Sequence, residues 1–251
     1  MTTEAQEPVT LTPLPETWST ALAVVAHPDD MEFGAAAAVA RWTGQGKRVV
    51  YCMVTSGEAG IDGMDPDVAR GIREAEQVES ARLVGVDEVE FLGLPDGVLE
   101  YGVPLRREIA RVVRRHRPDV VITGNHREAF PNGVPNQADH VATGRAVLDA
   151  VRDAGNRWIF RDQVEDEGLE PWGGVEQVWV SGSPTATHVV DVSATFDAGV
   201  ASLAAHAAYL DGLGWEGFDP AEFLGSMTRP AGQALGVEHA TTFEVVRLTW
   251  D

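Results

Sequence analysis

Cysteine and basic residues are both scarce in this chain of 251 residues. The one cysteine, Cys52, excludes an internal disulfide and lies in the apolar run 49–54, where we expect a buried, unreactive thiol. Only 19 lysines and arginines stand against 39 aspartates and glutamates, giving a net charge of −20. Such a surface repels phosphate backbones and anionic lipids, so we expect neither a nucleic-acid nor a membrane partner.

The first twenty residues also lack the features of a targeting segment. They have no basic start and no long apolar run, which excludes a signal peptide or anchor and favours a cytoplasmic protein. We expect residues 1–18 to form a polar tail. No repeat, low-complexity tract or linker divides the remainder, so 19–251 is predicted to be a single domain.

Short β-rich runs alternate with helical patterns through the first two thirds of the chain. This alternation predicts an α/β fold, a Rossmann-like doubly wound and mostly parallel sheet with helices on both faces. The predicted strands are 21–26, 48–55, 88–94 and 120–123, with helices at 33–44, 67–85 and 104–116. A C-terminal loop and strand extension follows: a helix from 139 to 154, a loop-rich segment to 174, strands at 175–181 and 188–192, a helix at 194–210 and a strand at 241–250.

The loop after the first predicted strand carries His27, Asp29 and Asp30 within four residues. Ligands bind at the carboxyl ends of strands in open α/β sheets. His27 and Asp30 together can hold one metal ion, with Asp29 left free between them. The alternative is a simple turn in which Asp30 caps a helix from Met31. The same loop lacks G-x-G-x-x-G and its carboxylates would repel pyrophosphate, which disfavours a nucleotide-binding module.

A metal site of this kind needs a third ligand, and the histidines are the candidates. His116 ends a basic helix and His239 lies in a turn, where neither needs a site to explain it. His126 and His140 follow the fourth predicted strand, at the same sheet edge as His27. His140 is better placed, because Asp139 precedes it and a helix-forming run fixes its direction.

A set of motifs in fixed order resembles the LmbE-like, or PIG-L-type, de-N-acetylases. The strongest is Ala-His-Pro-Asp-Asp at 26–30, and the others are Thr-Ser-Gly-Glu at 55–58, Arg-Glu-Ala-Glu at 73–76, Leu-Gly-Leu-Pro-Asp-Gly at 92–97, Pro-Asp-Val-Val-Ile-Thr at 118–123 and Asp-His at 139–140. The resemblance covers nearly all of the chain after the tail. It implies the LmbE-like fold and an enzyme that removes an N-acetyl group, or a related N-acyl group, from an amino sugar or its conjugate.

The resemblance also implies roles for individual residues. His27, Asp30 and His140 would hold one Zn²⁺ per chain, with another divalent metal as the alternative, and Asp29 would be the general base. Arg73 matches an arginine that resembles a substrate-anchoring residue. The alternative for Arg73 is an ion pair with an acidic residue, Glu76 or Glu79, on its own helix.

One position departs from the family's His-Pro-Asp-His motif. Its first histidine falls at Gln137, which can donate a hydrogen bond but cannot carry a proton. His126, upstream in the same loop, either replaces the missing imidazole or is a solvent-exposed loop residue. His206 matches a helix histidine common in relatives, and we expect a core or surface role for it. Asp139 either caps its helix or orients a histidine.

These residues support hydrolysis, because three protein ligands leave a metal open to water and a substrate carbonyl. The resemblance implies a small N-acetylated partner molecule from secondary-metabolite or thiol biosynthesis. We expect the substrate determinants in 127–136 and in the Trp- and Gly-bearing, loop-rich segment that ends at 174. A tryptophan among Trp172, Trp179 and Trp215 either stacks on a sugar ring or packs in the core. A homo-oligomer is left open. The rival function is a non-catalytic carbohydrate-binding protein on a degenerate scaffold.

Overall fold

The computed structural model describes residues 11–249. Eight strands form one sheet in the order β1-β7-β8-β6-β5-β2-β3-β4. Their bounds are β1 Thr12–Pro13, β2 Thr20–Val25, β3 Arg48–Met53, β4 Glu88–Phe91, β5 Val120–Gly124, β6 Gln177–Ser181, β7 His188–Asp191 and β8 Ala240–Arg247. All neighbours pair in parallel except β8, which runs antiparallel to both β6 and β7.

Helices cover both faces of this sheet. They are α1 Ala36–Gly44, α2 Pro66–Leu83, α3 Val103–His116, α4 Ala138–Gly155, α5 Arg161–Glu165, α6 Phe196–Ala204, α7 Ala207–Gly212 and α8 Pro220–Leu235. The predicted α/β fold, mostly parallel and doubly wound, is therefore confirmed. Within the described part of the chain, no helix is both long and apolar enough to cross a membrane.

Strand β2 is buried on both faces and separates two hydrophobic cores. Leu22 and Val24 point toward the core formed with α3 and α4, while Ala21, Ala23 and Val25 point toward the core formed with α1. This continuous apolar run is typical of a parallel strand covered on both sides. Cys52 on β3 is fully buried, and burial raises the pKa of its thiol.

The order of strands reverses at β2, which determines where a ligand can bind. The chain runs from β2 outward to β3 and β4, then returns to β5 on the other side of β2. The loops that leave β2 and β5 therefore begin side by side at the same sheet edge and lead to helices on opposite faces of the sheet. Such a reversal opens a crevice at the carboxyl ends of the strands.

The structure corrects several predicted boundaries. The helix predicted at 33–44 begins only at Ala36, because 28–35 form turns, and the one at 194–210 divides into α6 and α7. The segment predicted as loop-rich contains α5, and sequence analysis missed α8 entirely. Its Gly225, Pro230 and Gly232 are residues that disfavour helix interiors. Burial of Leu224 and Thr228 on this helix offsets that preference.

Part of the N-terminal segment predicted as a tail packs on the sheet. Residues 1–10 lie outside the described residues, but β1 pairs with β7, and the side chains of Leu14 and Trp18 are buried in the core. Trp18 packs edge-on against Trp42, at 5.4 Å between ring centroids. Apolar side chains at 14 and 18 explain why this part packs on the sheet. The division into a tail and one domain from 19 to 251 stays a prediction.

Candidate metal centre

The loop after β2 has an unusual backbone at Asp29. Its φ of 84° lies in the left-handed region, which non-glycine residues rarely adopt. The Asp29 N–H donates to Gln77 Oε1 at 2.8 Å. Asp30 caps no helix: its Oδ2 accepts from the backbone N–H of His27 at 2.9 Å, and α1 begins later without a side-chain cap. The chain therefore forms turns here, but not the helix cap by Asp30 that the simple-turn alternative required.

Three side chains converge in the crevice between β2 and β5. His140 Nε2 lies 3.0 Å from Asp30 Oδ1 and 3.2 Å from His27 Nδ1, and the latter lies 3.8 Å from Asp30 Oδ2. Tetrahedral zinc with bonds of about 2.0–2.2 Å requires ligand atoms about 3.3–3.6 Å apart. The spacing and the donor set of two imidazoles and one carboxylate therefore fit a divalent metal ion.

Two carboxylates on the far side of the His27 ring fix its orientation. His27 Nε2 lies 3.0 Å from Asp96 Oδ1 and 3.4 Å from Asp139 Oδ2. Since both partners are acceptors, we assign the ring proton to Nε2, which leaves the Nδ1 lone pair for a metal. Asp139 also accepts the N–H groups of Gly97 at 2.7 Å and Leu99 at 3.0 Å. It therefore holds the loop after β4 against His27 and does not cap α4.

The second histidine is oriented in the same manner. His140 lies in the first turn of α4, and its Nδ1 is 3.0 Å from Asn136 Oδ1. Asn136 Nδ2 donates to the carbonyl oxygens of Asn125 at 2.7 Å and Arg127 at 2.9 Å. This asparagine therefore ties the ligand to the loop that leaves β5.

Electrostatics in the crevice suit a cation. Burial would raise the pKa of Asp30, but His140 and His27 hold it well below its usual value. Burial lowers the pKa of His27, and its bonds to Asp139, Asp30 and Asp96 overcome that effect and raise it. Carboxylates thus surround the imidazole pair and carry the negative charge that a divalent ion would neutralise.

Asp29 lies beside the ligands but does not join them. The residue is 5% exposed, and burial raises the pKa of the carboxyl to about 7, against the opposing charge of Arg73. Its carboxylate bonds Arg73. A carboxylate next to a metal and not bound to it has the placement that a general base needs.

Arg73 is buried against the loop that follows β2. Its side chain is 2% exposed, donates to Pro28 O at 2.6 Å and Gly57 O at 3.1 Å, and pairs with Asp29. The ring of Tyr209 covers the guanidinium at 3.8 Å. The predicted alternative, an ion pair on its own helix, does not form. The predicted substrate contact stays a prediction, whereas the geometry assigns Arg73 to positioning Asp29.

We expect Arg73→Lys to separate these two roles. Lysine keeps the charge but cannot reach three acceptors in one plane. If Arg73 positions the base, kcat falls about tenfold or more while KM changes by less than about threefold. Steady-state kinetics with saturating substrate measures both constants. A rise in KM at unchanged kcat would instead establish the substrate contact.

The structure places Gln137 and His126 outside the ligand cluster. Gln137 is the exposed residue that precedes α4, and its side chain makes no capping bond. His126 is half-buried, and burial lowers its pKa. Among the described residues, neither side chain has a recorded bond to His27, Asp30 or His140. Their predicted roles at the carbonyl stay predictions.

A comparison of two alanine variants decides between them. Gln137→Ala is expected to lower turnover less than loss of Asp29 does, because a neutral donor shares oxyanion stabilisation with the metal. If His126 carries a proton, His126→Ala is the more damaging change and reshapes the pH profile. Acetate release across pH measures both. An unchanged rate and profile in His126→Ala would eliminate compensation by this residue.

Several supporting residues escaped sequence analysis. Asp96, Asn136 and Gln77 contact His27, His140 and the Asp29 backbone, yet none belongs to a recognisable ligand spacing. The Leu-Gly-Leu-Pro-Asp-Gly motif at 92–97 contains Asp96, but it does not reveal that Asp96 contacts His27. Two more acidic residues have partners within the protein: Glu32 accepts from Gln77 at 3.0 Å and Ser80 at 2.8 Å, and Glu58 pairs with Arg70.

His206 is part of the buried network behind the loop. It is fully buried, and its Nε2 lies 3.7 Å from Glu32 Oε2. Burial lowers the pKa of His206, but Glu32 overcomes this effect and raises it. Of the two roles expected for His206, in the core or at the surface, the structure shows the one in the core.

Comparison with known proteins adds three similarities. The chain is 27% identical over 201 residues to a diacetylchitobiose deacetylase of Thermococcus kodakarensis, covering 79% of this chain and 73% of that protein. It is 31% identical over 137 residues to a probable N-acetyl-α-D-glucosaminyl L-malate deacetylase 2 of Bacillus anthracis, covering 52% of this chain and 58% of that one.

The fold matches a solved deacetylase closely. The structure of the N,N′-diacetylchitobiose deacetylase from Pyrococcus horikoshii, complexed with an inhibitor, superimposes with a TM-score of 0.83 at 23% identity, covering 92% of this chain and 85% of that one. The model of the family described as PIG-L, GlcNAc-PI de-N-acetylase, matches residues 22–151, just over half of the chain. This range contains all three candidate ligands and Asp29, and the chain belongs to the PIG-L family of de-N-acetylases.

Proposed function

We propose that this protein is a zinc-dependent hydrolase that removes the acetyl group from an N-acetylated amino sugar or its conjugate. The observation that carries the proposal is the convergence of His27, Asp30 and His140 beside the unligated carboxylate of Asp29. A structural zinc site would close all four positions with protein ligands. A binding protein has no evident use for a free base beside a metal.

His27, Asp30 and His140 would hold the zinc ion, which when bound lowers the pKa of water and polarises the acetamide carbonyl. Asp29 accepts a proton as water attacks the carbonyl carbon. Arg73 keeps the Asp29 carboxylate in place by pairing with it. These residues therefore supply the base and its orientation.

Breaking the amide bond requires a proton on the departing nitrogen. Asp29, protonated in the first step, returns that proton as the C–N bond breaks, so the carboxylate is regenerated. The products are acetate and a primary amine, and one water is consumed. Gln137, at the exposed entrance of α4, is proposed as an auxiliary hydrogen-bond donor to the oxyanion.

Residues 127–136 lie between β5 and α4, next to the candidate ligand His140, and are proposed to select the substrate. Phe130 meets the His140 ring edge-on, with 6.4 Å between centroids. Arg127 pairs with Glu244 on β8, which fixes the loop to the sheet. These contacts hold Phe130 beside a candidate ligand. The cytoplasmic location and a homo-oligomer stay predictions.

Acetate release tests the proposal directly. Metal-free protein with and without added Zn²⁺ is incubated with N-acetylglucosamine, N,N′-diacetylchitobiose and other N-acetylglucosaminyl compounds. Zinc-dependent release from at least one compound, abolished in Asp29→Asn, is the expected result. Binding of these compounds without acetate release from any of them would support the rival non-catalytic carbohydrate-binding function.

A further inference from the structure

A group of fully buried polar side chains lies behind the loop after β2 and takes no part in the proposed chemistry. Its members are Glu32 of the loop, Gln77 and Ser80 on α2, Ser202 on α6, and His206 between α6 and α7. A buried polar group destabilises a fold unless its hydrogen bonds are satisfied. The contacts of this buried polar cluster therefore indicate what it holds in place.

One contact of the cluster is with the backbone of the proposed base. The Asp29 N–H donates to Gln77 Oε1 at 2.8 Å. The Asp29 carbonyl oxygen accepts the N–H groups of Glu32 at 2.9 Å and Phe33 at 3.0 Å. Gln77 is the one partner among these three that bonds through its side chain. Because the φ of 84° at Asp29 is uncommon for a residue with a Cβ atom, these bonds stabilise a conformation that the residue would otherwise rarely adopt.

The orientation of the Gln77 amide is set by Glu32. Glu32 Oε1 accepts from Gln77 Nε2 at 3.0 Å and from the Ser80 hydroxyl at 2.8 Å. A carboxylate oxygen accepts hydrogen bonds, so the amide must direct its NH2 group toward Glu32 and its carbonyl oxygen toward Asp29. The reversed amide would bring its NH2 group against the Asp29 N–H and leave two oxygens facing each other at Glu32. Glu32 therefore acts on the Asp29 backbone through Gln77.

Helix α6 supports Glu32 through a chain of hydroxyl groups. The Ser80 hydroxyl has one proton, which goes to Glu32. The Ser202 hydroxyl therefore donates to Ser80, whose Oγ lies 2.8 Å away and whose carbonyl oxygen lies 3.1 Å away. His206 Nε2 lies 3.7 Å from the other Glu32 oxygen. Hydrogen bonds thus run in one direction from α6 to Glu32, which leaves the Gln77 amide a single satisfied orientation.

Helix α2 carries both side chains that hold Asp29. Arg73 and Gln77 are four residues apart and so lie on the same face of the helix, with Ser80 three residues further on. Arg73 pairs with the Asp29 carboxylate, and Gln77 accepts its N–H. The side chain and the backbone of Asp29 are therefore fixed relative to one support.

We propose that Gln77 is a positioning residue for the hydrolysis, which holds the backbone of Asp29 in the left-handed conformation from which its carboxylate meets Arg73. This inference rests on the proposed function. The candidate ligands His27 and Asp30 have a separate support, because Asp30 Oδ2 accepts the His27 N–H at 2.9 Å. Loss of Gln77 should therefore displace the base and leave the metal content unchanged.

Steady-state kinetics of Gln77→Met test the inference. Methionine has a similar length, but its thioether is only a weak acceptor for the Asp29 N–H. We expect kcat to fall about tenfold or more, KM to change by less than about twofold, and the metal content to equal that of the wild type. Gln163→Met is the matched control: Gln163 is also a fully buried glutamine, which accepts from Arg114 at 2.8 Å and donates to Arg107 O at 2.7 Å. Its kcat should equal that of the wild type.

A double-mutant cycle with Asp29→Asn separates positioning from a general structural role. If Gln77 acts through the base, Gln77→Met should cost less than about twofold in the Asp29→Asn background, where the base is already absent. Equal losses in both backgrounds would make Gln77 a structural residue and overturn the inference. Gln77→Asn, whose amide is one methylene shorter, replaces the methionine variant if that variant does not fold, and the same expectations apply to it.

The outcomes separate this inference from the proposed function. Acetate release by the wild type with an unchanged kcat in Gln77→Met would overturn the positioning role and leave the hydrolase intact. Absence of acetate release from every compound would refute the hydrolase and the positioning role together. Hydrogen exchange of the Asp29 amide, followed by NMR, needs no substrate and tests the contact itself. We expect about tenfold faster exchange in Gln77→Met than in the wild type, and equal rates would show that Gln77 does not hold this backbone.

Discussion

Asp29→Asn is expected to retain its metal and lose about 10²- to 10⁴-fold in kcat, the usual contribution of a general base. Asparagine has nearly the same shape and can keep a bond to Arg73, but it cannot accept the proton of the attacking water. Because Asp29 does not ligate, elemental analysis of the variant should find the wild-type metal content.

The control is Asp87→Asn, which removes an exposed carboxylate before β4 and leaves the site intact. Its kcat should equal that of the wild type. Loss of metal together with rate in Asp29→Asn would make this residue a ligand. Full activity in Asp29→Asn would place the base elsewhere.

The second large effect concerns the metal itself. Purified protein is expected to carry about one divalent ion per chain, and His140→Ala or His27→Ala should lose it and all measurable turnover, since two remaining ligands hold zinc poorly. Plasma emission spectrometry after dialysis measures the content. Addition of Zn²⁺ should restore activity to metal-depleted wild type but not to either variant.

His188→Ala serves as the matched histidine control, because His188 lies on β7 and bonds to Thr187. Its metal content should match that of the wild type. The proposed coordination would be wrong if both His27→Ala and His140→Ala kept full occupancy. If only His140→Ala kept its metal, the ion would instead be held by the second group of possible ligands, which consists of His27, Asp96 and Asp139.

The convergence of the candidate ligands was predictable because sequence patterns locate the carboxyl ends of strands. His27 follows a buried apolar run and His140 begins a helix after another, so the parallel topology brings them to one edge. Arg73 was harder. Spacing along its own helix suggested Glu76 or Glu79, but the partner is Asp29, 44 residues away in sequence. Local periodicity carries no information on contacts of that range.

Other failures came from local propensity that tertiary packing overrides. Helix α8 was not predicted because it contains Pro230 and two glycines. Tertiary contacts stabilise it nonetheless, and one of them joins Thr228 to His239, just before β8, at 2.7 Å. Asp96 follows β4 at the edge of the sheet, and a lone aspartate in a turn motif is more often explained by turn formation. Its approach to His27 depends on the path of the loop, which composition does not determine.

The position of β8 has a consequence for the order in which the protein can be completed. Among residues 11–249, this strand comes after the other seven in sequence, yet it lies inside the sheet, between β6 and β7. Until it is synthesised, β6 has an unpaired edge and the pair of β1 and β7 has no connection to the central strands through the sheet. All three candidate metal ligands, by contrast, emerge before residue 141. A nascent chain can therefore bring these candidate ligands together early but remains open to edge-to-edge association until β8 is inserted.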